Sequence, residues 1–311
     1  MTEDARIARI EKWLLDLYEQ SEKEMRGKWD DFMKELRVEG DKLLKAIDDA
    51  PDEALRKKAR RAYTAYMRDA TITDRYYRQM VDELARQYAN AGRRAMEIVN
   101  GERFGAFADG YNFSAEKINS VAIARDIGIR FDLCDESTVE YLYERRSDML
   151  FPTPRYFDFD KNATWNIRNI NAQVTQGIVQ GESIPKIAAR LRNVTRSNEA
   201  SAIRTARTMV TGAENAGRIQ SMKRAEEWGV KTRKRWLCTH DSRTRDSHLE
   251  IDGETVADDA YFSNGCRWPG DPIGPAAEVW NCRCTLITVV DGFSSTLPKG
   301  KEGAVRVTIR G

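Results

Sequence analysis

The feature that most restricts the fold lies at the N-terminus. From Thr2 to about Asp49, apolar side chains return every three or four positions, and no proline interrupts before Pro51. Ile7, Ile10, Leu14 and Leu17, then Phe32, Leu36, Leu43, Leu44 and Ile47, mark one stripe, with charges on the other faces. A stripe at a period of 3.6 residues is buried by a helix and by no strand. The stretch therefore predicts a long amphipathic helix, with Gly27 and Gly40 as the points where it would break. Asp49-Ala50-Pro51-Asp52 ends it, and Pro51 suits the start of a second helix.

A third helix is expected after Thr73, with Tyr77, Met80, Leu84, Tyr88 and Ala91 on one face and an end by Asn100-Gly101. The glycine- and aromatic-rich segment Gly101 to Asn112 reads as a loop, and Ser114 as the cap of a helix carrying Ile118, Val121 and Ile123. Phe151-Pro152-Thr153-Pro154 reads as a break. Three helices should follow. Asn162 to Gln180 is closed by Gly181; Ser183 caps the second, with Pro185 in its first turn; Ser197 caps the third, which runs to Glu227.

After Gly229 the texture changes. KTRKRWLCT alternates polar and apolar, GETV is short and turn-bounded, and CTLITVV is β-branched, so these read as strands joined by loops rich in proline and glycine. The expected class is α+β, predominantly α-helical. It comprises a helical N-terminal region 1–150, a helical connecting region 151–229, a small β-containing module 230–290 and a polar tail 291–311.

Composition narrows the class further. Basic residues number 51 and acidic residues 49, so net charge alone argues for no polyanion partner. The N-terminus is charged and lacks the apolar core of a signal peptide, and no stretch approaches the roughly 18 to 20 apolar residues of a membrane span. Five cysteines do not make a secreted disulfide scaffold. A soluble protein of a reducing compartment is expected.

Both histidines, His240 and His248, and four of the five cysteines fall between Cys238 and Cys284. Several readings of this cluster compete. Cys282 and Cys284, two apart on a strand, point to one face and could share a zinc ion with His248 and either Cys238 or Cys266. A disulfide between residues two apart is strained, whereas a longer one such as Cys266 to Cys282 is geometrically open. His248 beside Arg243, Arg245 and Glu250 or Glu278, with Cys282 as nucleophile, would be a catalytic set. Taken singly, each residue is equally a small buried core residue or a satisfied core histidine.

The order of motifs is more specific than any of these. Asp241-Ser-Arg243-Thr-Arg245-Asp-Ser-His248, Ile251-Asp-Gly253, Phe262, Gly265, Pro269-Gly-Asp271-Pro272 and Asn281-Cys-Arg-Cys284 follow one another. Before them come Gly177-Ile178, Gly181-Glu-Ser183, Ile187-Ala-Ala-Arg-Leu191 and Ala206-Arg-Thr208 followed by Asn215. From Trp165 to Val290 the chain resembles the C-terminal module of phage minor head proteins, the family that includes protein F of phage Mu. Many members carry a C-x2-C pair where this chain has Arg245-Asp-Ser-His248, and those versions look like zinc sites. Here the resemblance implies either zinc or a cross-linking His248, hydrogen-bonded to the Pro269 to Pro272 loop, as the staple.

The resemblance implies a structural virion component without turnover. It would sit inside the capsid, assemble in the bacterial host cytoplasm with portal and capsid or scaffold proteins and without a membrane, and act in head morphogenesis and DNA packaging or delivery. Between Ser183 and Ala225, nine basic residues face two acidic ones. Lys186, Arg190, Arg192, Arg196, Arg204 and Arg207, with Lys231, Arg233, Lys234 and Arg235 on the following strand, are therefore expected DNA contacts through sequence-independent phosphate binding. A solvated helix face with ion pairs explains the same residues equally well. The alternative function is an injected effector enzyme, a nuclease or transferase, built around His248 and its arginines.

Overall fold

A computed structural model describes residues 3–71, 74–128, 130–134, 159–180 and 182–294. Five long helices come first: α1 (Glu3–Asp48), α2 (Glu53–Ala70), α3 (Arg75–Ala124), α4 (Phe159–Val179) and α5 (Ile184–Glu226). Then follow β1 (Val230–Leu237), the short α6 (Asp246–Glu250), β2 (Thr255–Ala257), the single-turn α7 (Ala276–Val279) and β3 (Thr285–Phe293). The class is α+β and mainly helical, as the periodicities require. The expected break at 151–154 and the Gly181 stop lie outside the described residues. No helix among the described residues is long and apolar enough to cross a membrane.

Two compact units form. One contains the described residues of Lys12–Glu97 and Thr153–Ala202; the other contains those of Met1–Glu11, Ile98–Pro152 and Ile203–Gly311. The first is all helical. Its core gathers Phe32 and Leu36 of α1, Tyr63 and Met67 of α2, Tyr77 of α3, Ile170 and Val174 of α4 and Ile187 of α5. Helix α1 runs through Gly27 and Gly40 without a break, because Phe32 and Leu36 keep the stripe of Leu14 and Leu17 in phase. Asp52 caps α2, its carboxylate accepting the Leu55 N–H at 2.8 Å. Buried hydroxyls find partners: Tyr63 donates to the Glu182 carbonyl oxygen at 2.6 Å and Tyr77 to Asn171 Oδ1 at 3.2 Å.

Three local readings of the sequence are corrected. Ser197 starts no helix; α5 begins after Ser183, whose carbonyl oxygen accepts the N–H groups of Lys186 and Ile187 at 2.9 and 3.1 Å, and continues to Glu226. The buried stripe of Ile187, Val194, Ala202, Ala206, Met209 and Ala213 passes Ser197 without losing phase. Packing of a continuous apolar face outweighs the capping tendency of one serine. Gly101 to Asn112, likewise, is no loop but the middle of α3.

The second unit explains why. There the C-terminal half of α3 crosses α5 at backbone contact. A Cβ on Gly217 would stand 2.9 Å from both the carbonyl carbon of Phe107 and the amide nitrogen of Tyr111, and one on Gly110 would meet the Glu214 backbone as closely. Ala106, Ala115, Ala213 and Ala216 are buried around the crossing. These small residues are there to let two helices touch. Ser114 is not a cap either: it sits fully buried in mid-helix, its hydroxyl 2.5 Å from that of Thr288 on β3.

The sheet is antiparallel in the order β2-β1-β3, with Trp236 opposite Leu286 and Arg233 opposite Ala257 and Val289. Strict alternation along β1 turns Val230, Thr232, Lys234 and Trp236 inward and Lys231, Arg233, Arg235 and Leu237 outward. Buried Arg218 of α5 binds this sheet to the helices. It donates to the Leu286 carbonyl oxygen at 2.7 Å, pairs with Glu214 at 2.6 Å and lies over the Phe113 ring.

Candidate functional site: a buried histidine between two cysteines

The centre of the motif series is made by a turn. Asn281, at φ 60, follows α7 in the left-handed region, which asparagine tolerates better than most residues. Its N–H donates to Thr208 Oγ1 at 2.8 Å. The chain then enters β3 with Cys282 and Cys284 turned inward and Arg283 between them turned outward. Arg283 forms a two-pronged pair with Asp241, one arm at 2.6 Å, and this guanidinium is the main reason the Asp241 carboxyl is held far below the usual carboxylate range. Thus the arginine of Asn-Cys-Arg-Cys clasps the first residue of the upstream motif.

His248, on α6, meets the two sulfurs. Its Nδ1 lies 3.2 Å from Cys284 Sγ and 3.8 Å from Cys282 Sγ, and all three residues are at most 2 % exposed. The imidazole packs edge-on against Trp236, with ring centres 5.2 Å apart. Its Nε2 faces the Glu278 carboxylate of α7 at 3.0 Å, off the line of a good hydrogen bond, and Ser247 donates to that same carboxylate at 2.8 Å. The expected bond from His248 to the Pro269–Pro272 loop is not the one made; the histidine contacts Cys284 through Nδ1 and faces Glu278 with Nε2.

The two thiols titrate in opposite directions. The Cys282–Cys284 hydrogen bond pulls Cys284 down, helped by His248, and the same bond together with burial pushes Cys282 well up. Of the two sulfurs, Cys284, beside the imidazole, is thus the one on which the anionic form is favoured. Two sulfurs and one imidazole nitrogen within 4.8 Å of one another form a donor set for a borderline-soft ion such as zinc. The orphaned Nε2 against Glu278 matches the outer carboxylate that orients a ligating histidine. On this chemistry the residues fit zinc, held by Cys282, Cys284 and His248, and the ion would supply a structural cross-link. No fourth donor joins this set among the described residues.

The other two cysteines of the module stand apart. Cys266 is fully buried beside Gly274, and burial pushes its thiol up to about 12. Cys238 groups instead with His240 and Asp252. No disulfide joins Cys238, Cys266, Cys282 or Cys284. Of the residues weighed for catalysis, Arg245 donates to the Trp280 carbonyl oxygen and Arg243 lies 3.8 Å from Asp241.

The remaining motif residues form the frame. Fully buried Asp271 accepts from Arg267 N, Nε and a terminal nitrogen, the last at 2.6 Å, and from Ile273 N at 3.1 Å. Gly253, at φ 80, makes the tight turn that returns its N–H to the Trp236 carbonyl oxygen at 2.9 Å. Gly270 brings the loop after Pro269 against α5, where a Cβ would stand 2.7 Å from Gly212 Cα.

The hub was missed as a site residue. Asn215 of α5 donates to the carbonyl oxygens of Thr211, Pro269 and Cys284 at 2.9, 3.2 and 3.3 Å, and accepts the Leu286 N–H at 2.8 Å. Its sequence signals are its place after Ala206-Arg-Thr208 in the motif series and an amide on the buried stripe of a helix, between Ala213 and Ala216.

The basic residues divide between the two units. In the all-helical unit Lys186, Arg192 and Arg196 are exposed and line an open cavity of about 870 Å³ with Glu19, Glu22 and Lys23. Arg190 in the same wall is bound to Glu182 at 2.5 Å and to Gln180 at 2.6 Å. In the other unit Arg204 is exposed, Arg207 pairs with Glu11, and Lys231, Arg233 and Arg235 project from the outer face of β1. Lys234 is turned to the interior. It is 1 % exposed, donates to the Asp258 carbonyl oxygen at 3.0 Å and lies over the Phe262 ring, so no phosphate reaches it.

Residues 168–287 match the family described as Phage Mu protein F like protein, close to the limits read from the motifs. This stretch is similar to Mu F-like proteins. Minor head protein GP7 of Bacillus phage SPP1 is 32% identical over 146 residues, which are 45% of this chain and 47% of that protein. The NAD(+)--arginine ADP-ribosyltransferase EFV of Enterococcus faecalis is 34% identical over 137 residues, 43% of this chain and 28% of that protein. The uncharacterized protein YqbB of Bacillus subtilis is 31% identical over 137 residues, 42% of this chain and 44% of that protein. The chain thus spans less than half the length of these curated relatives. No solved structure matches it.

Proposed function

We propose that this chain, with its Mu F-like module, is a minor head protein of a tailed bacteriophage. It associates with the portal inside the capsid and takes part in head morphogenesis and DNA packaging or delivery. The observation that carries this reading is how the motif residues are used. Asp241, Gly253, Asp271, Asn281 and Arg283 serve internal clasps and turns, and His248 is sealed at 1 % exposure. A motif whose polar groups are spent on holding three segments together is a rigid building block rather than a reaction centre. The kinship with a minor head protein supplies the biological setting.

Phage DNA contact belongs to the exposed cations Lys186, Arg192, Arg196, Arg204, Lys231, Arg233 and Arg235, acting without base recognition through counterion release. The kinship with a named ADP-ribosyltransferase favours a second reading, an injected enzyme, but that match covers 28% of that protein and the buried His248 offers a substrate no approach.

Two measurements test the proposal. Co-expression with the portal protein of the same phage should give a complex that co-sediments; absence of co-sedimentation refutes portal association. In filter binding, affinity for random-sequence duplex should fall steeply with salt. A Lys186→Ala, Arg192→Ala, Arg196→Ala triple variant should flatten the slope of log K against log salt by roughly 2 to 3 if all three touch phosphate. No binding at low salt removes the DNA role. A His248→Ala chain that still assembles into normal heads while an injected nucleic-acid- or protein-modifying activity disappears would favour the enzyme.

A further inference from the structure

The end of β1 carries a second donor cluster that the buried His248 site does not use. Cys238 follows β1, His240 stands two residues on, and Asp252 lies in the turn between α6 and β2. One oxygen of Asp252 accepts the Cys238 N–H at 2.8 Å, which leaves the other facing His240 Nε2 at 3.0 Å. The same Nε2 lies 3.8 Å from Cys238 Sγ. The three donor atoms all fall within 4.8 Å of one another.

We propose that Cys238, His240 and Asp252 form a solvent-open site for one borderline-soft divalent cation of the zinc class, with its fourth position left to water or an outside donor. Donor type and spacing both point there. Sulfur, imidazole nitrogen and carboxylate oxygen are zinc's three ligand classes. Around a tetrahedral zinc ion, metal–ligand lengths of about 2.3 Å to sulfur and 2.0 to 2.1 Å to nitrogen or oxygen set edges of roughly 3.6 Å for S···N and 3.3 Å for N···O. The observed 3.8 and 3.0 Å need only a few tenths of an ångström of adjustment.

The backbone under the site is fixed independently of any ion. Thr239 donates to the Arg283 carbonyl oxygen at 2.6 Å, and Thr244 donates to the Thr239 carbonyl oxygen. Access is graded: Cys238 is 5 % exposed and forms the floor, while the His240 side chain is 62 % exposed and forms the rim. This is the reverse of the sealed His248 set. An ion here exchanges with solvent and presents an open coordination position at the surface.

The carboxylate is charged for such an ion, whereas the thiol must give up its proton to bind it. Asp252 is held below the usual carboxylate range, first by the Cys238 N–H, so it is anionic at neutral pH. The Cys238 thiol is pushed up to about 11, by burial and by Asp252, with Cys284 adding a smaller push. Binding therefore forms the S–metal bond as the thiol proton leaves to solvent, one proton per ion at neutral pH.

The test is a zinc titration of the metal-free full-length chain, read by native mass spectrometry and by proton release in weak buffer. Cobalt(II) serves as the coloured substitute. The wild type should bind one ion more per chain than His240→Ala, whose exposed position keeps folding out of the comparison. Affinity at this site should fall by more than the about 10- to 100-fold that loss of an outer-shell partner costs. Asp252→Asn should weaken it too, and Cys282→Ser, which alters only the buried set, should leave it intact. Equal zinc content and affinity in the wild type and His240→Ala would overturn the proposal. So would a wild type that takes no zinc at low micromolar concentration, or stoichiometry that responds to Cys282→Ser alone.

Discussion

Replacing Gly217 by alanine tests the helix crossing on which the second unit is built. The new methyl carbon would lie 2.9 Å from the Phe107 carbonyl carbon and the Tyr111 amide nitrogen, and closer still to the Phe107 carbonyl oxygen. All of these are backbone atoms of a packed helix, so no side chain can swing aside; α3 and α5 must separate. Separation also loosens the buried Ala106, Ala213 and Ala216 contacts, and it pulls on Arg218, which binds β3 from the next residue of α5. Overpacking of a core costs typically about 1 to 3 kcal/mol, and backbone-on-backbone overlap belongs at or above the top of that range.

The internal control is Gly101→Ala in the partner helix α3, where a Cβ meets nothing within 4 Å. There the greater helix propensity of alanine should stabilise by about 0.5 to 1 kcal/mol. Thermal unfolding should move in opposite directions, by roughly 2 to 4 °C for each kcal/mol in a unit of this size. A Gly217→Ala chain as stable as the wild type would refute the crossing, and a destabilised Gly101→Ala would refute the continuous helix.

Asn215→Ala leaves the buried Leu286 N–H and the Pro269 and Cys284 carbonyl oxygens without this partner, so urea unfolding should show a loss of about 2 to 3 kcal/mol; a loss under about 0.5 kcal/mol would show that the hub is dispensable. Lys234 gives a pH signature. Burial pulls its folded-state value down to about 8 from the ordinary 10.5, despite the opposing pull of Asp258. The unfolded chain then holds one more proton between those limits, so this residue makes stability rise with pH from about 8 to the ordinary lysine range. Chemical denaturation across that window should show the rise in the wild type and its loss in Lys234→Met; identical profiles would refute a buried ammonium.

Much of the module was readable in advance. The alternation in KTRKRWL and the β-branched run after Cys284 locate β1 and β3, because a period of two exposes every second side chain whatever the surroundings. The same alternation forces Lys234 inward, yet a lysine reads as a surface residue until the pattern is trusted over its charge. The inward-facing pair Cys282 and Cys284 follows from their spacing, whereas the choice of His248 over Cys238 or Cys266 as their companion does not. That choice depends on the left-handed turn at Asn281 and on where α6 sets its histidine, and both are fixed by contacts far away in sequence.

Glycine shows the limit most clearly. Within a local window, Gly101 to Asn112 has the composition of a loop, since glycine weakens a helix wherever nothing else is gained. What is gained lies about a hundred residues away, at Gly217 and the backbone of Glu214, where the missing Cβ admits a second helix. The sequence by itself determined the periodic elements, the mainly helical α+β class and the Mu F-like character of residues 168–287, because periodicity and ordered motifs are properties of the chain alone. Only the tertiary structure decided that the glycines join helices rather than end them. It also decided that the four cysteines of the module divide into a sealed pair with His248, an open one with His240 and a solitary Cys266, since close approach and ligand convergence are properties of distance in space.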